Sequence, residues 1–412
     1  MNKFAIIADD LTGSVDTSAY FGQYGVPAIV SLDKNAVRLA DEAVHAVNAA
    51  TREEPLSDAR QVHLTLGRQF KDSGRIIIKK TDMGFRGNHG AEIEGLLEGL
   101  GAQVCYLLNA IPNHRAFILD AQQYVKGKLL PESMYAQDPS RKPTTAYIPE
   151  ILQKQTALSI GTIGIDTVRS QTLAEQIRAC VESGHRILVF DAVTDEDCLA
   201  VVRESLALPY PAIWAGTLGL IDAMAQCSDP DHVRRSYQPA KAAPKCLCFT
   251  TSNYDTVRRQ IRTAADHGLQ EITLNMDACI REGAASEQAI ARTCALCREA
   301  NAHGNVILTQ TLKGTYPELC VPERILAVMA ECARRLTAMC EFDRLVIIGG
   351  ETSAAILRTL GITRLQILAL PETGTALGRI DDGALRGKSF AAKGGSVGTD
   401  EALLHMLLAA DA

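Results

Sequence analysis

Short, continuously apolar runs recur along this chain, each set off by a stretch of helical periodicity, and that rhythm admits few folds. KFAIIA (3–8), PAIVSL (27–32), AVHAVNA (43–49), RIIIKK (75–80), AQVCYLL (102–108), LSIGTIG (158–164), RILVFDAV (186–193) and AIWAG (212–216) read as strands. Helical patterns at 14–24, 57–71, 90–100, 170–183 and 196–206 lie among them. Strands that are apolar throughout, rather than at alternate positions, need cover on both faces, and a parallel sheet between helices provides it. The rhythm stops at SDPDHVRRSYQPAKAAP (228–244), which has three Pro, mixed charge and no periodicity. It resumes with CLCFTT (246–251), NVILTQT (305–311), RLVIIGG (344–350) and LQILAL (365–370), and with helices at 254–267, 322–341 and 352–360. The expected fold class is α/β: two α/β domains with mainly parallel sheets, 1–230 and 245–412, and an active site in the cleft between them.

Charge narrows the partners. With 42 basic and 48 acidic residues the formal charge is −6, so neither a nucleic acid nor a membrane surface is expected as partner. A small anionic ligand needs a local cluster of Lys and Arg to hold it. No apolar run approaches the ~20 residues that cross a bilayer, and FAIIA (4–8) meets Asp9 and Asp10 too soon to be the core of a signal peptide. The expected location is the cytoplasm, and the 12 Cys then read as small core residues. Cys294 and Cys297 form a CxxC inside a helical stretch with no second pair nearby, which argues against a metal or redox site.

Five segments carry chemistry. ADDLTG (8–13) ends a strand with two carboxylates and opens a helix. In parallel sheets ligands bind beyond such strand ends. The pair can bind hydroxyls, hold a metal or accept a proton, while one Asp alone also serves as a helix cap. KKTDMGFRGNHG (79–90) runs from a strand into Lys79, Lys80, Asp82, Arg86 and Asn88. It reads either as the missing positive cluster, with an Arg fork suited to a carboxylate, or as a solvated polar loop. NAIPNHRAFILD (109–120) brings His114 and Arg115 to another strand end, and opens a stretch to 150 with five Pro and little periodicity. A connection that long inside a domain is usually functional. IIGGETSAA (347–355) is a strand, a Gly pair and a helix start, a junction that suits phosphate. AAKGGSVG (391–398) is a second Gly loop. GALRGKS (383–389) imitates a Walker A loop but is one residue short, and no helical pattern follows it.

Together these segments resemble the four-carbon acid sugar kinases. The resemblance includes ADDLTG followed by Asp16, Thr51-Arg52, the KK-x-D…RGN segment and YVKGKLLPES within the Pro-rich stretch. It continues through AGTLGL (215–220), TTSNYDTVRRQI with Ser252, GGETSAAIL and KGGSVGTDEAL, so it spans nearly the whole chain in order. It implies phosphoryl transfer from ATP to a hydroxyl of a sugar acid such as threonate, erythronate or 3-oxo-tetronate. It further implies that Ser252, Gly349, Gly350, Glu351, Thr352, Gly394 and Gly395 contact ATP, with Mg2+ at the triphosphate. Asp9, Asp10, Lys79, Asp82, Arg86, Asn88 and Arg115 would line the acid-sugar pocket, with Asp10 or Asp82 as the base. Three positions depart from the family pattern. Met83-Gly84 stands where Ser-Thr is usual, His114-Arg115 where Gly-Arg is usual, and Thr251 replaces the Gly before Ser252. Losing a hydroxyl pair removes hydrogen-bond partners and changes selectivity. Two rivals remain at this point: a non-catalytic two-lobed sugar-acid sensor, and a lyase or dehydrogenase acting on sugar acids. A homo-oligomer is left open.

Overall fold

The computed structural model describes residues 2–35, 37–39, 41–138, 141–228 and 238–410. Residues 229–237 of the expected boundary, and Pro139 of the Pro-rich stretch, lie outside the described residues. The chain divides into two compact units, Met1–Val233 and Arg234–Ala412. No helix among the described residues is long and apolar enough to cross a membrane.

The first unit contains, in order, β1 (Phe4–Ala8), α1 (Leu11–Gly22), β2 (Ala28–Ser31), β3 (Val44–Asn48), α2 (Leu56–Phe70), β4 (Ile76–Lys80), α3 (His89–Leu100) and β5 (Val104–Leu108). After the Pro-rich stretch, which holds β6 (Phe117–Leu119), β7 (Gln122–Val125) and β8 (Lys128–Leu129), come α4 (Ile148–Gln153), β9 (Ile160–Ile163), α5 (Ile165–Val168) and α6 (Leu173–Glu182). β10 (Ile187–Phe190), α7 (Asp195–Leu206), β11 (Ala212–Gly216) and α8 (Leu218–Ser228) complete it. Eight strands lie in the order β2-β3-β1-β4-β11-β5-β10-β9, every neighbouring pair parallel. Ile6, Ile7, Ile78, Leu107, Leu188 and Ile213 are buried on both faces, which is why these strands do not alternate.

Register sets the edge that matters. Ala8 pairs with Asn48 on one side and Lys80 on the other, and Lys80 pairs in turn with Gly216. The residues just past β1, β3 and β4 therefore gather at one end of the sheet. The Pro-rich stretch is a small antiparallel sheet, β6-β7-β8, followed by a 3-10 turn at Met134–Gln137. Its periodicity is weak because its strands are 2 to 4 residues long.

The second unit contains β12 (Cys246–Thr250), α9 (Asp255–Ala265), β13 (Gln270–Asn275), α10 (Ala284–His303), β14 (Val306–Thr311) and α11 (Val321–Met339). Then follow β15 (Arg344–Ile348), α12 (Gly350–Thr359), β16 (Arg364–Ala369), β17 (Thr375–Ile380), β18 (Ser389–Lys393) and α13 (Ala402–Leu408). β13-β14-β12-β15-β18 are parallel, and β17 runs antiparallel to β18 and β16. The Walker-like GALRGKS forms the β17–β18 connection, and Ser389 opens a strand, not a helix. All twelve Cys are free thiols. Cys294 and Cys297 are buried on α10, where Cys294 hydrogen-bonds Cys332 of α11. Arg344 is wholly buried. Its Nη1 and Nη2 donate to the carbonyls of Met406 (2.6 Å) and Ala409 (2.9 Å), satisfying the free C-terminal end of α13.

Candidate active site

Asp10 is the N-cap of α1: its Oδ1 accepts from Gly13 N at 2.8 Å. Its other oxygen takes Arg52 Nη1 at 2.6 Å. The same guanidinium grips the neighbouring carboxylate, with Nε on Asp9 Oδ2 at 2.8 Å and Nη2 on Asp9 Oδ1 at 3.1 Å. Arg52 reaches this place because the chain beyond β3 is tied to β1: Thr51 N and Arg52 N both donate to Asp9 O. Its Nη2 also lies 4.0 Å from Asp82 Oδ1. One guanidinium thus stands among three carboxylates from two strand ends.

The carboxylates differ in environment. Burial would raise Asp9, but Arg52, with Lys79 and His89, outweighs it and holds the group low. Burial also acts on Asp82. There the hydrogen bonds of Arg86 and the charge of Arg52 prevail and hold it well below the usual carboxylate range. Asp82 Oδ2 accepts Gly84 N (2.9 Å), Arg86 N (3.2 Å) and Arg86 Nε (3.0 Å), while Oδ1 accepts Arg86 Nη2 at 2.9 Å. Asp10 moves the other way: burial, aided by the Asp9 charge, raises it despite Arg52. Its side chain is 27% exposed, against 0% for Asp9 and 10% for Asp82, so it is the carboxylate that a ligand can reach.

Lys79 is placed differently from the sequence expectation. Its side chain is wholly buried and its Nζ lies 2.9 Å from Glu92 Oε2, inside the unit. Glu92 Oε1 accepts Thr51 Oγ1 at 2.6 Å, and His89 Nδ1 lies 3.4 Å from Oε2. His63, buried nearby, is pushed down to about 4, first by burial and then by Lys79 against the pull of Glu92, so it is neutral. Alternation along β4 explains the inward turn of Lys79. Lys80 points to the other face, where its Cγ lies 3.4 Å from the place a Gly13 Cβ would take, and its Nζ donates to Thr81 O at 2.6 Å. Asn88 is also internal: its amide donates to Thr51 O (3.0 Å) and Glu54 O (2.8 Å), fastening the Arg52 loop. Arg115 is exposed, in a left-handed conformation with φ 54. Among the described residues its side chain makes no hydrogen bond or ion pair.

Arg52 and Glu92 thus belong to the cluster although the residue pattern named neither as a site group, while Lys80 lies in the segment read as the positive cluster. Arg52 carried a legible signal, lying four residues beyond a strand that pairs with β1. Glu92 carried none, since a helical Glu ordinarily reads as solvent-facing.

In the second unit β15 runs into α12 through Gly349, whose φ is 106 and whose N donates to Lys393 O at 2.9 Å. Thr352 Oγ1 bonds Thr251 Oγ1 at 2.7 Å, joining this turn to the end of β12. A Cβ on Gly395 would lie 2.8 Å from Ser252 Oγ, so the final Gly loop packs on the Ser252 turn. Gln260 Nε2 holds that loop through Val397 O (3.1 Å) and Thr399 O (2.7 Å). Lys393 Nζ donates to Gly394 O at 2.7 Å. Ser252, 349–352 and 394–395 are therefore brought together at the ends of three adjacent strands, β12, β15 and β18, and Glu351 is exposed there. No group of three or more His, Cys, Asp or Glu gathers as a metal site among the described residues.

Comparison with known proteins divides the chain in the same way. Residues 4–224 match a family model described as a sugar-binding N-terminal domain, and residues 248–403 one described as a nucleotide-binding C-terminal domain. Among curated relatives, the D-threonate kinase of Salmonella typhimurium (strain LT2) is 24% identical over 98% of this chain and 97% of its own length. The D-threonate kinase of Cupriavidus necator is 26% identical over 98% and 97%, and the 3-oxo-tetronate kinase of Escherichia coli (strain K12) 23% over 89% and 97%. Two crystal structures share the fold. One, from Salmonella typhimurium LT2, has a TM-score of 0.83 at 19% identity, covering 98% of each chain. The other, from Haemophilus influenzae, has a TM-score of 0.76 at 18% identity, covering 98% and 99%.

Proposed function

The chain belongs to the four-carbon acid sugar kinase family, and from that premise we propose that it transfers the γ-phosphoryl group of ATP to a hydroxyl of threonate, erythronate, 3-oxo-tetronate or a related sugar acid. Residues 1–230 supply the acid-sugar site and residues 245–412 the nucleotide site. A sensor has no use for a nucleotide cradle, and the matched nucleotide-binding domain counts against both the sensor and the lyase or dehydrogenase readings. Twelve free thiols suit a reducing compartment, in keeping with the cytoplasm.

The difference between Asp10 and Asp82 supports the assignment of the base. A general base works best with a pKa near the operating pH and in reach of the proton it takes. Asp10 is raised and partly open; Asp82 is held low and fully engaged. Asp10 accepts the hydroxyl proton as the hydroxyl oxygen bonds to phosphorus and the bond from phosphorus to the departing ADP oxygen breaks. Asp9 and Arg52 aim Asp10. Asp82 aims Arg86, which is 32% exposed and whose Nη1 lies 3.7 Å from Asp138 Oδ2; its guanidinium is the contact for the sugar-acid carboxylate. Arg115 is a second candidate for that contact. Lys79 and Asn88 hold the scaffold from behind.

In the second unit the Gly cradle suits a triphosphate. Gly349 adopts a conformation that L side chains avoid, and Gly395 sits against Ser252 where a Cβ would intrude. Ser252, Gly350, Thr352 and Gly394 complete its lining. Glu351, exposed and without an ion pair among the described residues, is the carboxylate for a phosphate-bound Mg2+, which is usually held by one or two carboxylates plus phosphate oxygens. The ion supplies charge neutralisation at the transferring group.

Thermal melting tests the reading cheaply. A ligand that binds only the native state adds ~2.7 kcal/mol at 100-fold over its Kd. Mg-ATP is expected to raise the melting temperature, and one four-carbon acid to raise it further. No shift with any nucleotide would overturn the kinase assignment. Gly349→Ala is expected to abolish most of the ATP shift: the new side chain costs roughly 1–3 kcal/mol of backbone strain and sits 3.1 Å from Thr352 Oγ1. A full ATP shift in that variant would remove the turn from the nucleotide site.

A further inference from the structure

We propose that Tyr135 is a specificity-determining residue, its phenol hydroxyl hydrogen-bonding the sugar acid held beside the Asp82–Arg86 pair; this rests on the sugar-acid kinase reading. The ring reaches the site from the Pro-rich stretch, in the 3-10 turn Met134–Gln137. Ser133 fastens that turn, its Oγ accepting Tyr135 N at 3.2 Å while donating to Leu130 O at 2.7 Å.

Two surfaces hold the ring. On one, Gly84 leaves it room: a Cβ there would fall 2.6 Å from both Cδ1 and Cε1, so no larger residue fits with the ring in place. On the other, the Arg86 guanidinium carbon stands 5.1 Å from the ring centroid, a cation–π distance. Arg86 is itself immobilised by its two hydrogen bonds to Asp82. The ring is thus fixed against the group that would grip the ligand carboxylate.

The hydroxyl has no hydrogen bond among the described residues. Tyr24, by contrast, spends its hydroxyl on Asp222 Oδ1 at 2.6 Å. Burial first, and the nearby Asp82 charge second, raise the Tyr135 phenol above its ordinary value. It therefore stays protonated and can donate at neutral pH. A positioned donor facing a polyhydroxy ligand discriminates between acids that carry an acceptor at that position and acids that do not. Gly84 contributes no side-chain hydroxyl of its own, so Tyr135 is the neutral donor of this corner.

The test compares wild type with Tyr135→Phe and Gly84→Ala across a panel of four-carbon sugar acids, measuring kcat/KM for the acid, KM for ATP and melting temperature. Tyr135→Phe is expected to lower kcat/KM for the preferred acid by about tenfold, the worth of one hydrogen bond, and to narrow its advantage over the other acids. KM for ATP and melting temperature stay as in wild type, because the hydroxyl makes no hydrogen bond among the described residues. Gly84→Ala, which displaces the ring, shifts the acid preference in the same direction. If wild type phosphorylates the panel while Tyr135→Phe keeps kcat/KM within twofold for every acid, the assignment of Tyr135 is wrong and the kinase reading stands. If wild type phosphorylates none of them, the kinase reading falls and this assignment falls with it.

Discussion

Asp10→Asn lowers kcat by about 10²–10⁴-fold, the usual worth of a general base, while the protein keeps its fold and its affinity for ATP. Asn is an N-cap as good as Asp, so Gly13 N keeps its acceptor and α1 its start. The proton-accepting oxygen is removed and with it the acceptor of Arg52 Nη1, while Arg52 keeps its two hydrogen bonds to Asp9. Asp82→Asn acts otherwise: it loosens Arg86 and raises KM for the acid more than it lowers kcat. The pH profile separates the two further. Asp10 must be ionised to work, so kcat/KM falls as pH drops through its pKa. Because that pKa is raised by burial, the acid limb lies above the ordinary value of an aspartate carboxyl. Loss of the limb in Asp10→Asn with residual activity identifies the group, and an unchanged limb and rate transfer the role to another residue. Full turnover by both variants removes both aspartates from catalysis.

Lys79→Met destabilises the first unit by about 3–5 kcal/mol, the cost of leaving a buried carboxylate without its partner. Both side chains are 0% exposed, so water cannot solvate the orphaned Glu92. The loss spreads to Thr51, whose hydroxyl Glu92 holds at 2.6 Å, and through Thr51 to the Arg52 loop. The double variant Lys79→Met/Glu92→Leu regains most of the stability, since removing both charges also removes the desolvation they impose. Urea unfolding of the two variants measures the difference. The contrary result is plain: Lys79→Met with unchanged stability and a raised KM for the acid would make Lys79 a substrate clamp after all.

Lys79 shows what a sequence conveys and what it does not. Continuous apolar strands announced the doubly covered parallel sheet, and the polar residues after them marked its C-terminal edge. In the second unit the Gly pairs at 349–350 and 394–395 stood out by composition. Which way a residue near a strand end points depends on register and on the partner it meets. Glu92 comes from α3, thirteen residues beyond Lys79, and no local pattern ties it to Lys79. Arg52 and Tyr135 reach the site through tertiary contacts of the same kind. β13, β17 and β18 escaped notice because β13 is largely exposed and polar, while β17 carries Gly378 and Arg379 in mid-strand. The GALRGKS segment was readable as a non-site because its spacing is one residue short and no helical pattern follows it; in the structure it opens β18.

Product analysis tests the central claim most directly. The protein is incubated with ATP and each four-carbon sugar acid, and the acid is examined by mass spectrometry for one added phosphate while ADP is counted. We predict that at least one acid is phosphorylated in a one-to-one ratio with the ADP released, and that Asp10→Asn forms almost none. Folded protein that binds ATP yet phosphorylates no acid, or that releases ADP without a phosphorylated acid, would contradict the account.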